Sequence, residues 1–161
     1  MATLAERLSA LAPPDADARA SASPARPDQS ALFDVLAELA CATRGSSSDE
    51  VKASQRLVED ALLRVTCGGW AGPAVRRAAA DVLARLFLAG NPVSLYSCLN
   101  HLAAAVRGND RGDAAPAKTS SPAATILPGG LSPAGARALG AAECLARLAA
   151  YDEFREALEG I

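Results

Sequence analysis

From Asp28 onward the apolar residues of this chain recur three and four positions apart, and glycine or proline closes one segment after another. That period places them on one side of a helix, whereas a half-buried strand needs a period of two. Composition agrees with the pattern. About a quarter of the 161 residues are alanine and only 4% are aromatic. Alanine enters a helix without losing side-chain entropy, while a sheet draws on β-branched and aromatic residues. The fold class expected is therefore all-α.

The segments can be placed one by one. A short first helix runs from about Thr3 to Leu11, with Thr3 and Glu6 at the spacing of a capping box and Leu4, Leu8 and Leu11 on one side. Pro13 and Pro14 stop it, and the Pro-, Ala- and Ser-rich stretch to residue 27 reads as linker. A second helix starts near Asp28 and reaches about Thr43, with Leu32, Val35, Leu36 and Leu39 facing inward and Asp34 and Glu38 facing out. A third, from Ser48 to about Thr66, has Ser47 and Glu50 as a capping box and a stripe of Val51, Val58, Leu62 and Val65. Pro73 suits the first position of a fourth helix that ends at Gly90, with Val75, Ala79, Val82, Leu83 and Leu86 inward. On its other side Arg77, Asp81 and Arg85 form a ladder at i,i+4 spacing. Asn91-Pro92 opens a fifth helix to about Arg107, with Leu95, Leu99, Leu102 and Val106 buried and Ser94, Ser97, Asn100 and His101 facing out. The last two helices are expected to form an antiparallel hairpin.

Residues 108–132 break the rhythm with Gly, Asp, Pro, Ser and Thr and read as a disordered insertion. A helix restarts at Ser132-Pro133 and runs to about Ala150, presenting Ala134, Ala138, Ala141, Leu145 and Leu148. A final amphipathic stretch, Tyr151 to Leu158, has no completed partner. The domain organisation expected is thus a short helix plus linker over 1–27, two HEAT-like helix pairs over 28–107, the insertion over 108–132, and the truncated start of a further repeat over 133–161. Paired amphipathic helices recurring every 40 residues or so are the sequence form of a HEAT or armadillo-type α-solenoid. A closed helical bundle is the structural competitor.

Several function classes fall away on composition. A formal net charge of −2 leaves no electrostatic footprint for nucleic acid. No run of about 18 apolar residues exists to cross a membrane, and the N-terminus lacks the layout of a signal peptide. Residues 16–27 (ADARASASPARP) have the flavour of an organelle transit peptide, but Glu6, Asp15 and Asp17 contradict it. The four cysteines, Cys41, Cys67, Cys98 and Cys144, show neither zinc-site spacing nor a disulfide framework, and read as reduced thiols in a cytosolic protein.

Candidate chemistry is sparse. Cys98 and His101 stand one helical turn apart, but no second pair supplies the four ligands of a structural zinc, and no third group orients a Cys-His nucleophile. Gly135 to Gly140 (GARALG) lacks the lysine and the preceding strand of a phosphate loop. Arg111-Gly112-Asp113 spells an adhesion tripeptide by chance. Trp70, the single tryptophan, reads as a core plug, with a partner anchor as the other role. No residue is assigned a catalytic, cofactor-binding or metal-binding role, no cofactor is expected, and the chain is read as a non-enzyme.

Several runs resemble a known family. Val75-Arg76-Arg77-Ala78, Leu83-Ala84-Arg85-Leu86-Phe87, Gly90-Asn91 and Ser94-Leu95-Tyr96 look like a HEAT hairpin near the N-terminus of the HEAT repeat-containing protein 5 family, which includes the plant SWEETIE-like scaffolds. Ala141-Ala142-Glu143-Cys144-Leu145-Ala146 resembles the opening helix of that family's next repeat, and Ala31-Leu32-Phe33 and Leu57 to Val65 fit the preceding pair more loosely. The resemblance covers roughly residues 28–150 and rests on packing motifs. It implies a large non-enzymatic scaffold of clathrin-adaptor-dependent traffic between trans-Golgi network, endosomes and plasma membrane. The partners implied are clathrin adaptors and aftiphilin-type accessory coat proteins. The location implied is cytoplasmic, with membrane association only through partners, and neither nucleic acid nor a small-molecule substrate is implied. The insertion is longer than the family's turn there, and the chain ends where the family's solenoid has barely begun, so a fragment or truncated gene model is expected. The alternative is a helical-repeat interaction module of an unrelated protein, such as the regulatory solenoid of a kinase or transport receptor.

Overall fold

The computed structural model of the chain describes residues 1–12, 28–68, 70–107 and 133–159. These form seven helices and no strand: α1 (Ala2–Leu11), α2 (Gln29–Gly45), α3 (Ser48–Thr66), α4 (Pro73–Ala89), α5 (Val93–Val106), α6 (Pro133–Leu148) and α7 (Asp152–Glu159). The linker over 13–27 and the insertion over 108–132, with its Arg111-Gly112-Asp113 tripeptide, lie outside the described residues.

Local chemistry sets the starts of α2, α3 and α4. Asp28 accepts a hydrogen bond from the Ser30 backbone N–H at 2.9 Å. At Ser47 the hydroxyl accepts from the Glu50 N–H at 3.4 Å while the Glu50 carboxylate accepts from the Ser47 N–H at 2.9 Å, a complete capping box. Pro73 opens α4, where its missing N–H costs no intrahelical bond. The box expected of Thr3 and Glu6 does not form. Met1 is the N-cap of α1, so Thr3 already lies inside the first turn.

The inward faces of α2, α3 and α4 are those the periodicity predicts, from Leu32 to Leu86. Leu95, Leu99 and Leu102 of α5 are buried too, but Val106 is 41% exposed, because in the last turn Ala105 takes the inward place. The buried side of α6 is rotated from the expected one. Ala136, Gly140, Ala141, Cys144 and Leu148 face in, while Ala134 is exposed and Ala138 and Leu145 are half-buried. The rotation follows from α6 packing on both α4 and α5. Gly140 lets α6 also come close to the end of α3: a Cβ there would sit 2.1 Å from the Thr66 carbonyl oxygen.

The helices that lie alongside one another are α1 with α2, α3 with α4, and α5 with α6, joined through α1–α3, α2–α4 and α4–α6. The expected α4–α5 hairpin is therefore not formed. Gln55 of α3 gives the physical reason. Its amide oxygen accepts from the Asn91 N–H at 2.6 Å, and its Nε2 donates to the Asn91 carbonyl at 2.9 Å and to the Ser94 hydroxyl at 2.8 Å. The link after α4 is thus held against α3 instead of folding α5 back along α4.

Other bonds fix directions. Arg7 of α1 pairs with Glu38 of α2 at 2.6 Å, while Leu11 lines the same groove as Ala31, so α1 and α2 run antiparallel. The Gly72 N–H, at the start of α4, donates to Oε1 of Gln29, the first residue of α2, at 2.9 Å. These two helices share one end and run parallel. Arg76–Glu143 and Asp81–Arg147 pair in rising order, so α4 and α6 are parallel as well. The terminal stretch expected to lack a partner has one: Phe154 of α7 is 3% exposed and meets Phe87 of α4 edge-on at 6.5 Å.

Candidate functional site

The chemically suggestive residues of the sequence are separated by burial. Cys98 is 1% exposed and His101, one turn on, is exposed to solvent. Burial pushes the Cys98 thiol well above the ordinary range, and it pushes Cys144 up to about 12. A thiol held protonated is a poor nucleophile. Cys67 is half-buried and Cys41 exposed, and none of the four cysteines forms a disulfide. Among the described residues no group of three or more His, Cys, Asp and Glu side chains is placed to hold a metal ion. Gly135 to Gly140 lies within α6, on a helix and not in a loop that follows a strand, so it has no phosphate-loop geometry. Trp70 is partly buried against the core in the link between α3 and α4, in the manner of a plug. No described helix is long and apolar enough to cross a membrane.

Polar residues that periodicity alone passes over are buried instead. Gln55 is 4% exposed, Glu59 8% and Arg76 7%. Arg76 donates from Nε to Glu143 at 2.7 Å and from Nη1 to the Ala71 carbonyl at 2.8 Å, tying α4 to α6 and to the link before it. Burial raises the Glu59 carboxyl, opposed by a hydrogen bond with Ser94. Each of these groups serves packing between elements, and every fully buried side-chain nitrogen or oxygen among the described residues has a partner.

Among the described residues, two surface grooves offer room for another molecule. One, of about 370 Å³, runs between α1 and α2 and is lined by Arg7, Ala10, Leu11, Ala31, Asp34 and Val35. The other, of about 210 Å³, lies between the parallel helices α2 and α4. Phe33, Leu36, Ala37 and Ala40 form one wall and Ala78 and Val82 the other, with Arg44, Asp81 and Arg85 along the margins. Phe33 is 40% exposed there, and three alanines keep the floor low. The sequence names no partner surface because this one joins stretches more than 30 residues apart. No family model, no curated protein and no solved structure matches the chain.

Proposed function

We propose that the chain is a non-enzymatic α-solenoid of the HEAT/armadillo type, serving as a protein-binding scaffold in clathrin-adaptor-dependent vesicle traffic. The observation that carries the solenoid is the order of packing. Helix pairs stack so that α2, α4 and α6 form one parallel row, with α1 and α3 side by side behind it. Each helix touches its near neighbours, and α1 does not lie along α5 or α6 as closure of a bundle would require. Repeat units in this register are α1/α2, α3/α4 and α5/α6. A solenoid offers rows of grooves and few enclosed pockets, which suits a binding role over catalysis. The traffic assignment rests on the packing motifs of α4, α5 and α6 that resemble the HEAT repeat-containing protein 5 family.

Purified chain should bind a purified clathrin adaptor complex, or an aftiphilin-type accessory protein, in a bead-retention assay and by calorimetry. Binding to neither would remove the traffic assignment and leave a helical interaction module of another system.

A further inference from the structure

We propose that the α2–α4 groove docks a short amphipathic helical peptide carrying carboxylates. Its apolar side chains would rest on Phe33, Ala37 and Ala78, and its acidic turn would meet Arg44 and Arg85. The inference rests on the scaffold reading and adds the chemistry of the partner.

Charge complementarity is the argument. The groove has three charged margins, but one is already neutralised: Asp81 accepts from Arg147 of α6 at 2.5 and 3.1 Å. Arg44 spends Nε on the Ala40 carbonyl at 3.2 Å, and among the described residues neither Arg44 nor Arg85 meets a carboxylate. Two cations thus stand beside an apolar floor in a molecule whose formal net charge is −2. Because α2 and α4 are parallel and in step from Gln29 and Gly72, Arg44 and Arg85 fall toward the same end, with Phe33 toward the other. The wall from Phe33 to Arg44 measures about 16 Å, or about three turns of a docked helix. That length suits apolar anchors at i and i+4 followed by acids in the next turn. Arginine is the cation fitted to hold a carboxylate through two parallel bonds.

The test pans a random peptide display library, about 16 residues per peptide, on the full chain and measures synthetic winners by fluorescence anisotropy. Enriched peptides should combine helically spaced apolar residues with at least two carboxylates at one end. The double variant R44E/R85E should weaken the winners by about tenfold or more, and so should Ala37→Trp, which fills the groove from an exposed position. Changing the peptide's acids to amides should cost a similar factor. The neutral pair R44Q/R85Q keeps the test sound should charge reversal disturb the end of α2, and circular dichroism checks that each variant folds. Any one of four results overturns the proposal: no enrichment, winners without acids, winners indifferent to these substitutions, or a groove covered by a second copy in sedimentation. Adaptor binding without peptide selection refutes the groove alone; acidic-peptide selection without adaptor binding refutes the traffic assignment alone.

Discussion

Replacing Gln55 by Leu keeps most of its volume but removes the acceptor for the Asn91 N–H and the donor to the Asn91 carbonyl and Ser94 hydroxyl. Stranding such groups costs about 1–3 kcal/mol. We expect urea denaturation to show a loss in that range, with faster amide exchange at the start of α5. A change under about 0.5 kcal/mol would mean that water replaces the glutamine without loss. Glu59 predicts a pH dependence of definite sign. Burial raises its folded-state pKa above the unfolded value, so the folded chain holds that proton more tightly. The associated stability is present below the ordinary carboxylate pKa and is lost as pH rises through the folded value. Glu59→Gln should therefore be more stable than the parent at about pH 7, with the gain fading toward about pH 4. An equal difference at both pH values would remove the carboxyl from the account.

Two helices depend on contacts that deletion can isolate. Arg76→Ala severs α6 from α4 at Glu143 and leaves the Ala71 carbonyl without its donor. Because Glu143 keeps 32% of its side-chain surface in water, the expected loss is about 2 kcal/mol, below that of a fully enclosed pair. Phe154→Ala removes the edge-on contact with Phe87 and should release α7, at about 3 kcal/mol by thermal denaturation. At this scale the limits of sequence reasoning are visible. Helix bounds, the Ser47 capping box and the inward faces of α2 to α4 were legible because they depend on residues within one or two turns. Partner choice was not. It is decided by Gln55 reaching Asn91, Gln29 reaching Gly72 and Asp81 reaching Arg147, and no local period encodes those meetings. The i,i+4 ladder expected of Arg77, Asp81 and Arg85 illustrates the same point: Asp81 turns instead to another helix, and Arg77 donates to the Pro73 carbonyl. The groove was hidden for the same reason, since its two walls come from different parts of the chain.

For the whole molecule, stability should grade outward from the middle. Among the described residues α4 packs against α2, α3 and α6, whereas α1 packs mainly against α2 and α3. When each element is supported chiefly by its neighbours, the one with most neighbours opens last. Native-state hydrogen exchange should find the slowest amides in α4 and the fastest helical ones in α1 and α7. Slowest exchange in α1 would contradict a stacked order and favour a single cooperative bundle.

The unequal burial of the thiols turns the chain into its own stopwatch. Cys41 lies in the open and should react with an alkylating reagent first, while Cys98 and Cys144, buried on α5 and α6, should wait for those helices to part. The lag between the first label and the later ones measures how often the α5–α6 end breathes. No probe need be added to read it.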